Sequence, residues 1–226
     1  MKLVNRAIFL FLVGTLTFPG FAQTKVCYYR SYEDFIRGMD VPPSSVVGKA
    51  FYRASVERKR VMQLDYILPD GTLSSFTKYF YNADGSLVVK DTYTADSLLR
   101  VRTSYQADEI QSLMLQKIYG RDWVPLQKDY YTVCHFDSLG NPVKYEIKAA
   151  SGEAVGRLEY RYNDRNDMIM EIWIRARDNK VLELSDFTFD YKNNIRYITQ
   201  YDSSGLEVSR VSLELPVSVT DSTHQR

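Results

Sequence analysis

Hydrophobic and polar residues alternate with a period of two over most of the chain after residue 50. Met170, Ile172 and Ile174, for example, fall on one side of an extended chain, while Glu171 and Trp173 fall on the other. Successive side chains of a strand point to opposite faces, so this pattern is typical of antiparallel strands with one packed and one wetter face. The alternation therefore predicts that this region is built from β-strands.

Short turns rich in Asp, Asn and Gly interrupt the alternating segments. Each clear copy has an aromatic residue before the turn and an apolar residue after it, and these copies occupy 81–87, 136–143 and 201–206. Weaker copies occupy 93–98, 105–110, 162–169 and 191–195. A period of roughly ten to seventeen residues predicts a repeated unit of strand, tight turn and strand.

Together, the alternation and the turns predict an all-β fold. We expect about a dozen strands in an antiparallel meander, forming one long twisted or curled repeat sheet, and we assign this domain to 51–219. The Asp-Gly steps at 70–71 and 84–85 favour hairpins, because Gly tolerates the positive φ that a tight primed turn demands.

Signals for helices are few. Ser31 is followed by the acids Glu33 and Asp34 and then by Gly38, and this arrangement of cap, acids and terminal Gly predicts one short N-terminal helix. The helix lies in a segment over 23–50 that we expect to end as a linker into the repeat array. Residues 108–120 also show helical spacing, but their position in the repeat and an aromatic residue at 119 favour a strand there.

The N-terminus has the layout of a secretory signal peptide. Lys2 and Arg6 precede an apolar stretch over 7–18, and small residues stand before a cleavage site ahead of Gln23. The stretch is shorter than the ~20 apolar residues that a membrane-spanning helix needs. We therefore expect that 1–22 are removed and that the protein is exported to the periplasm, the outer cell surface or the extracellular space.

The charge of the chain argues against nucleic acid as a partner. The formal net charge is +1, and removal of Lys2 and Arg6 lowers it to −1 in the mature protein. Charges of both signs are interspersed, so no basic patch of the kind that binds nucleic acid is expected. No later stretch is long and apolar enough to predict a transmembrane segment after signal cleavage, and the polar tail over 220–226 is expected to be frayed.

The unit Tyr-Asp-x-x-Gly-x-apolar, clearest at 201–206 and 81–87, resembles the YD (Rhs-like) repeats. The resemblance covers roughly residues 60–210, and it departs from the pattern where Phe136 replaces the Tyr and Asp167 replaces the Gly. Small secreted proteins of Bacteroidetes type contain such repeats, and this chain resembles them. The junction at 21–23 also resembles the end of their leader sequences. The resemblance implies hairpin architecture and an envelope or extracellular setting, and it implies no activity.

The two cysteines, Cys27 and Cys134, leave two alternatives open. An exported chain meets an oxidising compartment, in which the two residues could form a disulfide. Such a bond would tie the N-terminal segment to the middle of the repeat array. Alternatively, Cys134 is a small buried hydrophobic residue within a strand over 130–136.

No catalytic or metal-binding motif is present in the sequence. His135 follows Cys134, but neighbours on a strand point to opposite faces and cannot form a nucleophile–base pair. His224 lies in the polar tail. Acidic residues recur in the turns, where Asp is favoured for backbone reasons, so they do not by themselves indicate calcium; they are Asp70, Asp84, Asp96, Asp137, Asp164 and Asp202. We expect no enzymatic activity, no metal and no cofactor.

Aromatic side chains suggest the remaining function. The chain contains 18 tyrosines and two tryptophans, and aromatic residues on a sheet give large contact areas for sugars or proteins. Most tyrosines are expected to form cross-strand ladders that hold the sheet together. Trp123, in an expected loop, and Trp173 are the candidate binding residues.

Two classes of function follow. The first is an exported, non-enzymatic β-repeat protein of the bacterial cell envelope that acts as a binding or interaction module for an unknown protein or glycan. The alternative is a hydrolase of cell-surface polymers that uses a pair of carboxylates, although the many acids of the chain select no particular pair.

Overall fold

A computed structural model describes residues 24–120 and 130–215 of the chain. Within these ranges it contains β1 (Lys25–Tyr29), β2 (Phe51–Glu57), β3 (Arg60–Ile67), β4 (Leu73–Tyr81), β5 (Leu87–Thr94), β6 (Leu99–Ser104), β7 (Tyr130–Phe136), β8 (Pro142–Ala149), β9 (Ala154–Tyr162), β10 (Met168–Arg175), β11 (Lys180–Asp190), β12 (Ile195–Asp202) and β13 (Glu207–Glu214). Two α-helices, α1 (Tyr32–Ile36) and α2 (Glu109–Tyr119), and a 3₁₀ helix over Pro43–Val46 accompany the strands.

The thirteen strands form one sheet whose strand order is the order of the sequence. Every neighbouring pair is antiparallel. The predicted all-β meander of about a dozen strands is therefore confirmed. Within the described ranges β1 and β13 are the two edges, so the sheet is open. The N-terminal segment contributes β1 to the sheet, which the sequence pattern did not predict.

Seven hairpin turns in the described ranges share one hydrogen-bond pattern. Each turn comprises five residues. The N–H of its first residue donates a hydrogen bond to the C=O of its fifth, and the N–H of its fourth residue donates one to the C=O of its first. The fourth residue always has positive φ, and it is Gly71, Gly85, Ser97, Gly140, Gly152, Asn166 or Gly205. The strand register shifts beside each of these turns. The turns are thus longer than the expected two-residue primed turns and end in a β-bulge.

The acids and amides of the repeat have a backbone role in these turns. When the first turn residue is Asn82, Asp137, Asn163 or Asp202, its side-chain oxygen accepts a hydrogen bond from the N–H four residues later, at 2.9–3.1 Å. A side chain that bonds its own turn is the usual reason for Asp and Asn in such positions. The spacing of Asp, Asn and Gly in the sequence therefore reflects the turn itself.

The tyrosine that precedes a turn also has a repeated contact. The Tyr81 hydroxyl donates a hydrogen bond to the carbonyl of Val61 at 2.8 Å, and the Tyr162 hydroxyl donates one to the carbonyl of Pro142 at the same distance. The two residues of each pair are twenty positions apart. Each bond runs from one hairpin back to the preceding strand, so it ties successive repeats together.

The prediction of a strand over 108–120 is wrong, because this segment is the helix α2. Asp108 caps the helix by accepting a hydrogen bond from the N–H of Gln111 at 2.7 Å, and Gly120 follows its last turn. Met114 and Leu115 are fully buried on its inner side. The helical spacing was the correct signal, and it follows from the packing of one helical face on the sheet.

The predicted short N-terminal helix is confirmed as α1, with Ser31 as its cap.

Two hydrophobic clusters lie on opposite faces of the sheet. We call the face that carries Cys27, Ala54 and Leu64 the front face, because strand register aligns these residues. The front cluster consists of Cys27, Tyr29, Ala54, Leu64 and Tyr79, with Phe35 of α1 packed against it. The back face carries Cys134, Tyr145 and Leu158, which are aligned in the same way. The back cluster consists of Ile147, Leu158 and Trp173 of the sheet with Met114 and Leu115 of α2.

The two edges of the sheet differ. The N–H of Val41, in the segment after α1, donates a hydrogen bond to the carbonyl of Tyr28, which partly covers the edge at β1. The strand β13 has no such cover among the described residues, and Val208, Val211 and Leu213 are exposed along it. None of the described helices is both long enough and apolar enough to traverse a lipid bilayer.

Candidate binding site

The structure places Trp173 in the core. Its side chain is only 5% exposed, beneath α2, and its indole N–H donates a hydrogen bond to the Glu171 carboxylate at 2.6 Å. The ammonium of Lys117, from α2, lies 5.1 Å from the ring centroid. Trp173 is therefore unsuited to direct contact with a partner. The other candidate, Trp123, lies outside the described residues.

The disulfide that the sequence left open is not formed in the structure. Cys27 and Cys134 are both free and buried. Cys27 lies in β1 on the front face, whereas Cys134 lies in β7 on the back face, and five strands stand between β1 and β7 in the sheet. Burial raises the pKa of the Cys134 thiol to about 11. Each cysteine thus acts as a small apolar residue in the structure.

His135 lies on the front face, opposite in direction to Cys134, as the sequence predicts. Its Nε2 is 3.1 Å from the Glu146 carboxylate. Burial opposes ionisation of Glu146, but hydrogen bonding from His135 and the nearby charges of Lys144 and Lys148 lower its pKa. The arrangement is a cross-strand charge cluster. Within the residues that the structure describes, no group of three or more His, Cys, Asp or Glu side chains could hold a metal ion.

Five of the six acids named from the turns accept hydrogen bonds within their own turns, namely Asp70, Asp84, Asp96, Asp137 and Asp202. Hydrogen bonds from Asn141 lower the pKa of Asp137, and hydrogen bonds from Ser204 lower that of Asp202. Thr72 acts in the same way on the pKa of Asp70. Backbone and neighbouring side-chain groups therefore occupy these carboxylates, which agrees with the turn interpretation of the sequence.

The best candidate for a binding site is a groove on the front face, formed by β2–β5 and α1. It has a volume of about 250 Å³. Tyrosine is the commonest residue of its lining, which consists of Tyr32, Tyr52, Leu64, Tyr66, Ser75, Thr77, Tyr79, Lys90 and Thr92. We call it the tyrosine groove.

Three of its rings form a continuous aromatic wall. The ring centroids of Tyr52 and Tyr66 are 4.9 Å apart, and those of Tyr32 and Tyr52 are 5.8 Å apart. Tyr52 and Tyr66 are cross-strand partners in β2 and β3, while Tyr32 comes from α1 and is 44% exposed. The helix therefore adds a third ring to a pair that the strand register has already placed together.

The remaining lining provides hydrogen-bonding groups. The hydroxyls of Thr77 and Thr92 are 3.0 Å apart across β4 and β5, and Ser75 and Lys90 lie in the same lining. Burial raises the pKa of Tyr52, with smaller contributions from Tyr66 and Tyr32. Burial likewise raises the pKa of Tyr79. These phenols therefore remain neutral at physiological pH and can both donate and accept hydrogen bonds.

Sequence reasoning did not identify this group of tyrosines. The signal that could have found it is the placement of Tyr52 and Tyr66 on either side of the turn at Arg58 and Lys59. These two turn residues have φ of 47° and 66°, as in a two-residue primed hairpin turn. This turn contains neither Gly nor Asn, so its sequence does not predict a tight turn. Without a predicted turn at this position, the pairing of Tyr52 with Tyr66 is not evident from the sequence.

Comparisons with known proteins give only weak similarity. No family model and no curated protein matches the chain. Among solved structures, it is similar to the crystal structure of TcdB2-TccC3-TEV at 12% sequence identity and a TM-score of 0.19, over 74% of this chain and 12% of that one. TcdB2-TccC3 without hypervariable C-terminal region gives 10% identity and a TM-score of 0.20, with the same coverage.

The chain thus spans about an eighth of the length of the solved chains that it matches, each of which is covered over 12%. TM-scores of this size carry no conclusion about fold or function. The resemblance to YD repeats stays a prediction from the sequence motif.

Proposed function

We propose that the protein is an exported binding module of the cell envelope and that its tyrosine groove binds a glycan. The observation that carries the proposal is the wall of Tyr32, Tyr52 and Tyr66 beside the hydroxyls of Thr77 and Thr92 in the lining of one groove.

A glycan suits this lining chemically. The C–H faces of a sugar ring pack on aromatic rings, while the sugar hydroxyls need several donors and acceptors around them. The groove offers both, because the aromatic wall carries neutral phenol groups and the hydroxyls of Ser75, Thr77 and Thr92 belong to the same lining. Its volume of about 250 Å³ lies just below the usual range for ligand pockets, which begins at ~300 Å³, so we expect the groove to hold one or two sugar units of a longer chain.

The lining does not favour the alternative function, a hydrolase with a pair of carboxylates. Such an enzyme places two acids ~5–9.5 Å apart on either side of the scissile bond. None of the nine side chains that line the groove is acidic. The groove therefore supports binding better than turnover.

A glycan array tests the proposal directly. The mature protein, beginning at Gln23, is applied to an array that includes bacterial and host polysaccharides. Capture of a defined glycan is expected, and Tyr66→Ala should weaken it at least about tenfold, equivalent to ~1.4 kcal/mol, because one ring of the aromatic wall is lost.

Tyr197→Ala is the matched control, because Tyr197 is an exposed tyrosine of β12 outside the groove. It should bind like the wild type. Equal binding by both variants, or capture of protein partners alone, would contradict the proposed glycan site.

Export is tested separately by N-terminal sequencing of the secreted protein, for which Gln23 is the expected first residue.

A further inference from the structure

A second, larger cleft adjoins the tyrosine groove. It has a volume of about 510 Å³ and is lined by Glu57, Arg58, Arg60, Met62, Tyr79, Phe80 and Tyr81. We call it the arginine cleft. Tyr79 belongs to both linings. A ligand longer than one or two sugars that lies in the groove would therefore reach the cleft.

The cleft has an excess of positive charge. In the described part of the chain, neither Arg58 nor Arg60 forms an ion pair with a carboxylate. Arg60 is held in place by the Tyr81 ring, whose centroid is 5.7 Å from the guanidinium carbon. The single acid of the lining, Glu57, accepts a hydrogen bond from the Thr24 hydroxyl at 3.0 Å. Two arginines thus line the cleft without an ion pair, although the charge of Arg60 adds to the hydrogen bonds from Ser86 that lower the pKa of Asp84 in the neighbouring turn.

The backbone at the tip of the cleft is strained. Arg58 and Lys59 adopt φ of 47° and 66°, a region that disfavours L-residues by ~1–2 kcal/mol each. The Asn-Gly sequence is preferred for such a turn, and elsewhere this chain puts Gly or Asn at most of its positive-φ turn positions. Strain that persists in charged residues beside a cleft points to a role in binding.

We infer that the ligand of the tyrosine groove is an acidic glycan, whose anionic group binds to Arg58 and Arg60 in the arginine cleft. The inference rests on the proposed function and adds the chemical class of the ligand. Guanidinium groups form short, charge-assisted and often bidentate hydrogen bonds with carboxylates and other oxyanions. A uronic acid or a sulfated sugar therefore meets the same requirement, and the experiment below separates the two.

The test uses matched pairs of oligosaccharides that differ only in charge. Oligogalacturonate is compared with its methyl ester, and a sulfated oligosaccharide with its desulfated form, on a glycan array that also carries neutral bacterial polysaccharides. The wild-type protein should prefer the acidic member of a pair at least about tenfold, and added salt should reduce this preference because it screens the ionic contacts. The pair that shows the preference identifies the anionic group as carboxylate or sulfate.

The decisive variant replaces the strained turn, Arg58→Asn together with Lys59→Gly, and is combined with Arg60→Gln. It should lose the preference for acidic glycans while still binding neutral ones. The turn replacement alone should raise the melting temperature, because Asn and Gly tolerate the positive φ, so weaker binding could not be attributed to unfolding. Arg210→Gln, which removes an arginine of the distant β13, is the control and should keep the preference.

The outcomes separate the two proposals. Tight binding of neutral glycans without preference for acidic ones would overturn the acidic ligand and leave the glycan site intact. An acidic preference that survives the loss of both arginines would also overturn it. Failure of the mature protein to bind any glycan would overturn both proposals.

Discussion

Gly156 of β9 lies directly beneath Met114 of α2. A Cβ atom at position 156 would be 2.5 Å from the Met114 sulfur and 3.0 Å from the Ile118 Cδ1 atom, and Met114 is fully buried. The absence of a side chain at 156 therefore allows α2 to pack closely on the back face. We expect Gly156→Ala to lower the free energy of unfolding by ~1–3 kcal/mol through overpacking, as measured by urea denaturation.

A double-mutant cycle tests the cause. Met114→Ala alone should destabilise the protein by ~2–5 kcal/mol through loss of buried contacts. The double variant with Gly156→Ala should cost less than the two single changes together, because the shortened side chain leaves room for the new methyl group. Additive costs would show that the two residues do not compete for this space.

The positive-φ glycines Gly85 and Gly205 should both be sensitive to an added side chain. Gly205 has φ of 84° and open space around its missing Cβ, whereas a Cβ on Gly85, at φ of 92°, would displace only the flexible end of the Arg60 side chain. We therefore expect Gly205→Ala and Gly85→Ala each to cost ~1–2 kcal/mol from backbone strain, in thermal unfolding experiments. Ser203→Ala, in the same turn as Gly205, is the control and should change little. If all three variants were equally stable, Gly85 and Gly205 would not occupy turn positions that require positive φ.

The hydroxyls of Tyr81 and Tyr162 should contribute equally to the free energy of unfolding, because each forms the same hydrogen bond between successive repeats. Replacing either by Phe removes a hydrogen bond to the carbonyl of the preceding strand and leaves that carbonyl without this donor, so each change should cost ~1 kcal/mol. Tyr197→Phe is the control, since its hydroxyl has no hydrogen bond among the described residues. A control that loses as much stability as the other two would refute this role.

Stability should fall in acid because of the turn acids. Hydrogen bonds lower the pKa of Asp137 and Asp202 below the ordinary value of 3.8, and the Arg175 side chain lowers that of Asp178 to about 2. A lowered folded-state pKa gives stability that is present above the unfolded-state value and is lost as the pH falls through the folded-state value. Urea denaturation midpoints should therefore decrease between about pH 5 and about pH 2.

Asn replacements provide the matched test of this pH dependence. Asn82 and Asn163 occupy the first turn position and accept the same backbone hydrogen bond that Asp137 and Asp202 accept. The double variant Asp137→Asn, Asp202→Asn should therefore keep its stability at neutral pH and lose less of it in acid. An unchanged acid dependence would assign the effect to other carboxylates.

The two thiols should be free and protected. Cys27 and Cys134 are buried, and the raised pKa of Cys134 keeps it protonated at pH 8, while thiolates are the reactive form. A thiol reagent should label neither residue quickly in the native protein and both after unfolding in denaturant without reductant. Labelling that requires reductant would demonstrate a disulfide.

The architecture of the sheet was predictable because local patterns determine it. Alternation predicted the strands, and the turn acids and glycines at 82–86, 137–141 and 202–206 predicted the hairpins that join them. The helix α2 was missed because its helical spacing competed with its position in the repeat. The contact that decides between the two, the packing of Met114 on Gly156, joins residues that are far apart in the sequence.

The candidate site was less predictable for a similar reason. Trp173 was chosen from its residue type, but α2 covers the face on which it lies. The tyrosine groove instead depends on the register of β2 and β3 and on the docking of α1, which brings Tyr32 beside Tyr52. A single sequence reveals such a constellation only once the turn at Arg58 and Lys59 has been placed.

The order of the strands has a consequence for the way in which the protein folds. Because each strand pairs with its neighbours in sequence, most native contacts can form through closure of short loops, a topology associated with rapid folding. The longest connection between consecutive strands runs from Ser104 to Tyr130. The front cluster contains only residues before this connection, whereas the back cluster contains residues of α2, inside the connection, and of the strands after it. We expect the half before this connection and the half after it to unfold as separate cooperative units, as in other proteins whose repeats contact only their nearest neighbours.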